Sequence, residues 1–362
     1  FTANLTTFTD NTCATGGTLY AKISSVALQS VTLSNNTCSS GSGILYLLVS
    51  NAAIDNSSFS DNAGDVASIQ GFTSTAAVTN SEFNRNTANS GSDNFELYDS
   101  EFTITTSSHI GRYTGSSAYS TDLQGGFLKA VRTSVTMADS TFANSAGSFG
   151  GFVYYESDQR PQNITIMNCS FTTGFAIYGG AIYYNGLLDI SSSSFLNNTA
   201  TEGSAIWGTG FAGYLADISA LNNRKSNFYF ENLADSILIE NADISISDDS
   251  EITEANGIYC LNSNLTLTDV TVTGMITSQN GGGLRFLQNP YKSSHALVLD
   301  IADSNFSFNQ AANGGGIYIH SQILAKIANT SIANNTAKNT TKGVDGSGGG
   351  IYYNCNNYLC NL

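Results

Sequence analysis

The sequence predicts an all-β solenoid of about 13 coils, and three observations predict it. An apolar anchor recurs at Phe8, Leu33, Phe59, Phe83, Ile110, Phe142, Phe171, Phe195, Leu221, Ile246, Val272, Phe306 and Ile332, twelve steps that cover 324 residues and average 27. A fixed period in this range marks stacked coils rather than one globular core. Asn and Gly fall at fixed offsets from the anchor. Apolar residues alternate with period two and never with the helical period, in a chain filled with Ser, Thr, Asn and Gly, which favour turns and strands over helix interiors.

Each coil opens on a short alternating strand, as in Leu187-Leu188-Asp189-Ile190 or Asn264-Leu265-Thr266-Leu267. A short polar side chain stands three places before the anchor, at Asn56, Asn80, Asp139, Asn168, Asp243, Asp269, Asp303 and Asn329. Asn stands three places after it, at Asn11, Asn36, Asn62, Asn86, Asn198, Asn309 and Asn335, and the Arg224-Lys225 pair falls where this row is interrupted. Asn and Asp tolerate left-handed backbone, and identical Asn side chains on neighbouring coils can bond to one another, so the register predicts side-chain ladders.

The coil closes on a glycine pair and a strand, as in Gly150-Gly151-Phe152-Val153-Tyr154, Gly179-Gly180-Ala181-Ile182-Tyr183 and Gly315-Gly316-Ile317-Tyr318. Glycine permits the sharp turn. With Leu19, Val153, Ile182, Ile258, Ile317 and Ile351 pointing inward, the next residue must point outward. That row is Tyr20, Tyr46, Tyr154, Tyr183, Trp207, Tyr259, Tyr318 and Tyr352, with Lys129 and Arg285 in two of the same slots. It reads as an aromatic stripe, either a contact surface or rings that stack on one another or shelter under the loops at 112–124 and 289–294. Residues 112–124 and 289–294 read as loops thrown out from the stack.

The period runs from end to end without a linker, so residues 1–362 read as one domain. Phe1 opens inside a repeat, which suits a fragment of a longer chain. Thirteen Lys and Arg against 28 Asp and Glu give a net charge of −15, which argues against a nucleic-acid partner. No apolar run approaches the roughly 18 residues of a transmembrane helix.

Cys13 and Cys38 each lie five residues after their anchor, so stacking places them within disulfide reach. Cys355 and Cys360 can close a terminal loop, while Cys169 and Cys260 read as buried thiols. Glycosylation sequons occur at Asn4, Asn35, Asn56, Asn163, Asn168, Asn197, Asn264, Asn305, Asn329, Asn334 and Asn339. With the disulfide they point to a secreted or cell-surface glycoprotein. Asn35, Asn197 and Asn334 directly precede ladder Asn residues, so alternation turns them outward.

Gly-Gly-Ala-Ile at Gly179 to Ile182, and Phe-x-x-Asn at Phe8/Asn11, Phe59/Asn62, Phe83/Asn86, Phe195/Asn198 and Phe306/Asn309, are the two motifs of the polymorphic outer membrane protein repeats. Their alternation extends over nearly the whole chain, which therefore resembles that family's passenger region. The resemblance implies a right-handed parallel β-helix on the cell surface and an adhesin role as a class, with no residue assigned to it. Nothing in the sequence looks like the membrane barrel of the bacterial members, and the sequons suit a eukaryotic surface or extracellular relative.

Parallel β-helices also host polysaccharide lyases and hydrolases, and Asp248-Asp249 with Glu251 and Glu254 is the best candidate for paired carboxylates. Galacturonan hydrolases also carry His-Gly and Arg-x-Lys motifs. Here none of His109, His295 and His320 is followed by Gly, and Arg-x-Lys is absent. The expectation is therefore no enzyme. Asp243 and Asp269 on consecutive coils could hold structural Ca²⁺ through oxygen ligands, but turn caps are the simpler reading, so no cofactor is expected. The function expected is a structural or assembly module of an extracellular fibre or coat, partnered by itself or by other coat proteins. The alternative is a surface adhesin or glycan-binding module.

Overall fold

The computed structural model describes residues 1–39, 43–65, 68–112, 123–157, 162–247, 254–289, 296–321, 323–338 and 346–355. All the regular elements among them are strands, stacked in parallel as a β-solenoid of about 12 turns. The chain divides into two compact units, Phe1–Asp189 and Ile190–Leu362.

In the first unit one coil consists of strands Leu45–Leu48, Asn51–Asp55 and Ser58–Ser60 with a two-residue strand, Ala63–Gly64. Each strand pairs with its equivalent in the coils above and below. Leu19, Leu45, Ile69, Phe95, Leu128, Val153 and Ile182 thereby form one inward row. The anchors form another: Phe8, Leu33, Phe59, Phe83, His109, Phe142 and Phe171. Phe59 stacks on Phe83, and Phe142 on Phe171, each pair at 5.0 Å between ring centroids. Each such ring contributes about 1.5–3 kcal/mol by leaving water.

One anchor differs from the sequence reading. His109 is buried in the row, whereas Ile110 beside it is 46% exposed. His109 Nδ1 lies 3.1 Å from Asn94 Nδ2 and 3.2 Å from the Phe83 carbonyl, and burial lowers the imidazole pKa to about 3, so the neutral ring packs as an aromatic.

The corners are held by ladders. Asn11 donates through its side chain to Asn36 Oδ1, Asn36 to Asn62 and Asn62 to Asn86, at 2.8–3.0 Å, and each acceptor side chain also takes the backbone N–H of the preceding coil. Two serine ladders were not anticipated. In one, the backbone N–H groups of Val31, Ser57, Ser81 and Ser107 donate to the hydroxyls of Ser57, Ser81, Ser107 and Ser140. In the other, Ser24, Ser50, Ser74 and Ser100 do the same to Ser50, Ser74, Ser100 and Thr133. These corner amides, which a bend would otherwise leave unsatisfied, therefore have acceptors.

The residue before the first serine ladder takes left-handed backbone, with φ of 47° at Asn56, 49° at Asn80 and 49° at Asp139. Short Asx side chains suit this conformation. At the glycine pairs the two residues play different parts. Gly179 has φ 69°, and a Cβ on Gly151 would come within 1.9 Å of the Gly180 carbonyl of the next coil. The first glycine makes the turn and the second lets the stacked backbones approach.

In the second unit the anchor row is Phe195, Ala220, Ile244, Val272, Phe306 and Ile332. The sequence reading placed Leu221 and Ile246 there. In these strands Ala220 and Ile244 are the buried positions of an alternation that continues through Ile218 and Ala242. With Ala220 as anchor, Asn223 joins the Asn row and accepts from Asn198 at 3.0 Å, so the row continues at Arg224-Lys225 rather than breaking. It breaks in the next two coils, where Ser247 and Met275 hold the Asn position. The left-handed residue of the Ile244 coil is Asn241, φ 48°, not Asp243. Asp243 pairs in register with Thr271, so its carboxylate does not stack on Asp269.

Cys13 and Cys38 are paired in register and bridged, with Cα atoms 4.6 Å apart. Cys355 is disulfide-bonded; Cys360, its expected partner, lies outside the described residues. Cys169 and Cys260 are buried thiols. No described helix is long and apolar enough to cross a membrane.

Candidate functional site

Parallel pairing decides where the stripe goes. A residue following an inward one on a stacked strand must point out, and it stands directly over its equivalent in the next coil at about 4.8 Å. In the first unit the row runs Tyr20, Tyr46, Gln70, Glu96, Lys129, Tyr154, Tyr183. In the second it runs Trp207, Tyr229, Tyr259, Arg285, Tyr318, Tyr352. All eight aromatics expected from the sequence occupy the row. Gln70, Glu96 and Tyr229 were missed; the alternation Phe228-Tyr229-Phe230 could have revealed the last.

The rings stack on one another. Tyr154 and Tyr183 lie 5.2 Å apart at 3°, Tyr229 and Tyr259 4.4 Å at 3°, and Tyr318 and Tyr352 5.0 Å at 4°. Their flat faces therefore meet each other, and the row presents ring edges and phenol tips. Tyr154 and Trp207 are each only 8% exposed, whereas Tyr20 is 56% exposed. Burial raises the Tyr154 and Tyr229 phenols far above their ordinary range, with Glu156 accepting from Tyr154 and the neighbouring Tyr259 adding to the effect at Tyr229.

Each unit's row contains one cation. Lys129 Nζ lies 2.8 Å from Glu96 Oε1, which also accepts from Tyr98 Oη at 2.6 Å, while Gln70 Nε2 donates to Glu96 Oε2 at 3.1 Å. Burial alone would lower the Lys129 pKa, but bonding to Glu96 and Tyr98 outweighs it and the net shift is upward. This charge is answered within the fold.

Arg285 is held differently. Its guanidinium carbon lies 5.0 Å from the Tyr259 ring centroid, Nη1 donates to Gln279 Oε1 at 2.5 Å, and Nε is buried without an acceptor among the described residues. Arg285 forms one wall of a cleft of about 290 Å³ contained in the second unit. Its lining also includes Glu202 and Glu254, which precede the strands of Trp207 and Tyr259, Lys225, which opens the strand of Tyr229, and the rings of Tyr229 and Tyr259 themselves. Lys225 Nζ bonds Glu254 Oε2 at 2.5 Å, and Ser278 Oγ donates to Glu254 Oε1 at 2.5 Å. These bonds lower the Glu254 pKa, whereas burial, and then the charge of Glu231, raises that of Glu202 despite a hydrogen bond from Trp207.

Of the acidic constellation expected near this point, Glu254 is the member that reaches the cleft; Asp248, Asp249 and Glu251 lie outside the described residues. His109 is in the core and His320 is half-buried beside Tyr318, 6.1 Å between ring centroids; His295 lies outside the described residues, as do residues 113–122 and 290–294 of the expected loops. No group of three or more His, Cys, Asp or Glu placed to hold a metal occurs among the described residues.

The sequon residues divide by exposure. Asn4, Asn35, Asn56, Asn168, Asn197, Asn329 and Asn334 are exposed, and Asn163, Asn264 and Asn305 are partly buried. Asn339 lies outside the described residues. Asn35, Asn197 and Asn334 have φ of 51°, 54° and 56°, and Asn36 and Asn198 next to the first two are buried.

Comparison with family models, with curated proteins and with solved structures finds no match for the chain.

Proposed function

We propose that the chain is a structural module of an extracellular fibre or cell-surface coat, glycosylated at its exposed corners and non-catalytic. The observation that carries this is the placing of the sequons: at Asn35 and Asn197 the glycosylation residue is on an exposed left-handed corner while the next residue is a buried ladder rung. A bulky sugar there leaves the stack undisturbed. The Cys13–Cys38 bridge supports an oxidising compartment, and the resemblance to the polymorphic outer membrane protein repeats supports a surface location. The ladders support a mechanical role, because within each unit stacked coils are fastened by backbone pairing and, along much of it, by side-chain and ring contacts as well.

Partners in this reading are further copies of the chain or other coat proteins. The test is secretion from eukaryotic cells, followed by glycosidase treatment in heavy-oxygen water and electron microscopy. Label at Asn35, Asn197 and Asn334 with molecules joined into larger arrays is the expected outcome. Dispersed unglycosylated monomers would contradict it.

A further inference from the structure

We propose that the cleft of the second unit binds an acidic saccharide, with Arg285 receiving a sugar carboxylate. The argument begins with what surrounds the two stripe cations. Lys129 has Glu96 as an internal counter-ion, while the contacts of Arg285 are a neutral amide, a ring face and nothing at Nε. Arg285 therefore has no carboxylate partner among the described residues. A planar guanidinium fixed by stacking and by one amide is preorganised for a planar carboxylate, which it grips through two parallel hydrogen bonds.

The rest of the lining selects the ligand's body. Lys225 and Glu254 neutralise each other at 2.5 Å. Thr201, Ser226, Asn256 and Thr277 add short neutral donors and acceptors, and Tyr229 and Tyr259 present edges. Such a surface suits the hydroxyls of a sugar. A peptide would instead need an apolar anchor pocket, and the lining residues supply none. A volume of about 290 Å³ is at the lower end for ligand sites, enough for one or two sugar rings rather than a large cofactor. Two basic residues, Lys225 and Arg285, and two acidic ones, Glu202 and Glu254, line the cleft, and burial raises the Glu202 pKa and so disfavours its charged form.

The experiment is calorimetric titration of the full chain, with EDTA present, using a short linear galacturonate oligomer, the same oligomer as its methyl ester and a glutamate-rich peptide. The free-acid oligomer is expected to bind, more weakly as salt rises. The methyl ester, and the Arg285→Gln chain with the free acid, are expected to lose at least about ten-fold in affinity, the size of a charge-assisted hydrogen bond. Arg132→Gln, which removes an exposed cation of the first unit, should leave binding unchanged. Should Arg285→Gln fail to fold, Gln279→Ala at an exposed side chain is expected to weaken binding in the same direction. The proposal is overturned by absence of oligomer binding, by equal binding of the methyl ester, by full affinity in Arg285→Gln, or by preference for the peptide.

Discussion

The two units carry the same stripe, and each interrupts it once with a cation. In the first unit Lys129 is paired with Glu96, which also accepts from Gln70 and Tyr98; in the second Arg285 stacks on Tyr259 and lines a cleft. In each case the Asn position that precedes the cation's strand is held by another residue, Arg112 before Lys129 and Met275 before Arg285. A solenoid repeats its backbone, so difference between coils resides in which outward side chain answers which neighbour. The first unit shows the closed solution, a charge consumed by the fold, and the second shows the open one.

The largest expected effect concerns what the units share. Phe83 touches Phe59, Phe95 and Phe127 in the first unit, and Phe83→Ala should lower the free energy of unfolding by about 3–5 kcal/mol. Ile244→Ala in the second should lower it by about 2–5 kcal/mol. Urea titrations check both, and a small effect in one unit alone would break the equivalence of their cores.

A feature peculiar to the first unit is next. His109 has a pKa of about 3 in the folded chain against an ordinary 6.5, because burial disfavours its charged form. Between these values the unfolded chain binds a proton that the folded chain does not, so this residue makes stability fall as pH drops below about 6.5. Taken to pH 4 the loss is about 3 kcal/mol. His109→Phe, which keeps a ring in the anchor row, should remove that part of the slope. Comparing the two chains separates His109 from other groups, including Asp93, whose carboxyl is raised to about 7 by burial. Parallel pH profiles would show that His109 titrates normally.

The ladders predict a smaller change. Asn62→Ala leaves Asn36 without its side-chain and backbone acceptor and removes the amide that donates to the Leu33 carbonyl, which should cost about 1–3 kcal/mol. Hydrogen exchange should then accelerate first at the amide of Asn36.

The repeat, the disulfide, the Asn rows and the stripe were legible because each depends on register, which a sequence displays directly. Three anchors were misplaced by one or two residues, at His109, Ala220 and Ile244, because the inward side chain there is polar or small, or lies beside another apolar residue. Once the anchor slips, the rows tied to it slip too, which concealed Asn223. The serine ladders were hidden by the abundance of Ser, since their bonds run from backbone to hydroxyl and leave no paired signature. The cleft was only partly visible: Tyr259, Arg285, Glu254 and Lys225 had been singled out separately, but Glu202 and Gln279 had not. Only stacking brings the turns before successive stripe strands to one place.

The contrast between the two cations is tested most directly by removing each charge in turn, Lys129→Met and Arg285→Met, and measuring the stability of both chains by denaturant unfolding. Removing Lys129 leaves the Glu96 carboxylate buried without its cation, and the expected loss is about 3–5 kcal/mol. Removing Arg285 strands no carboxylate, and the expected change is within about 1 kcal/mol. Equal losses, or a larger loss at Arg285, would contradict the account, because Arg285 would then be as much a part of the fold's internal charge balance as Lys129.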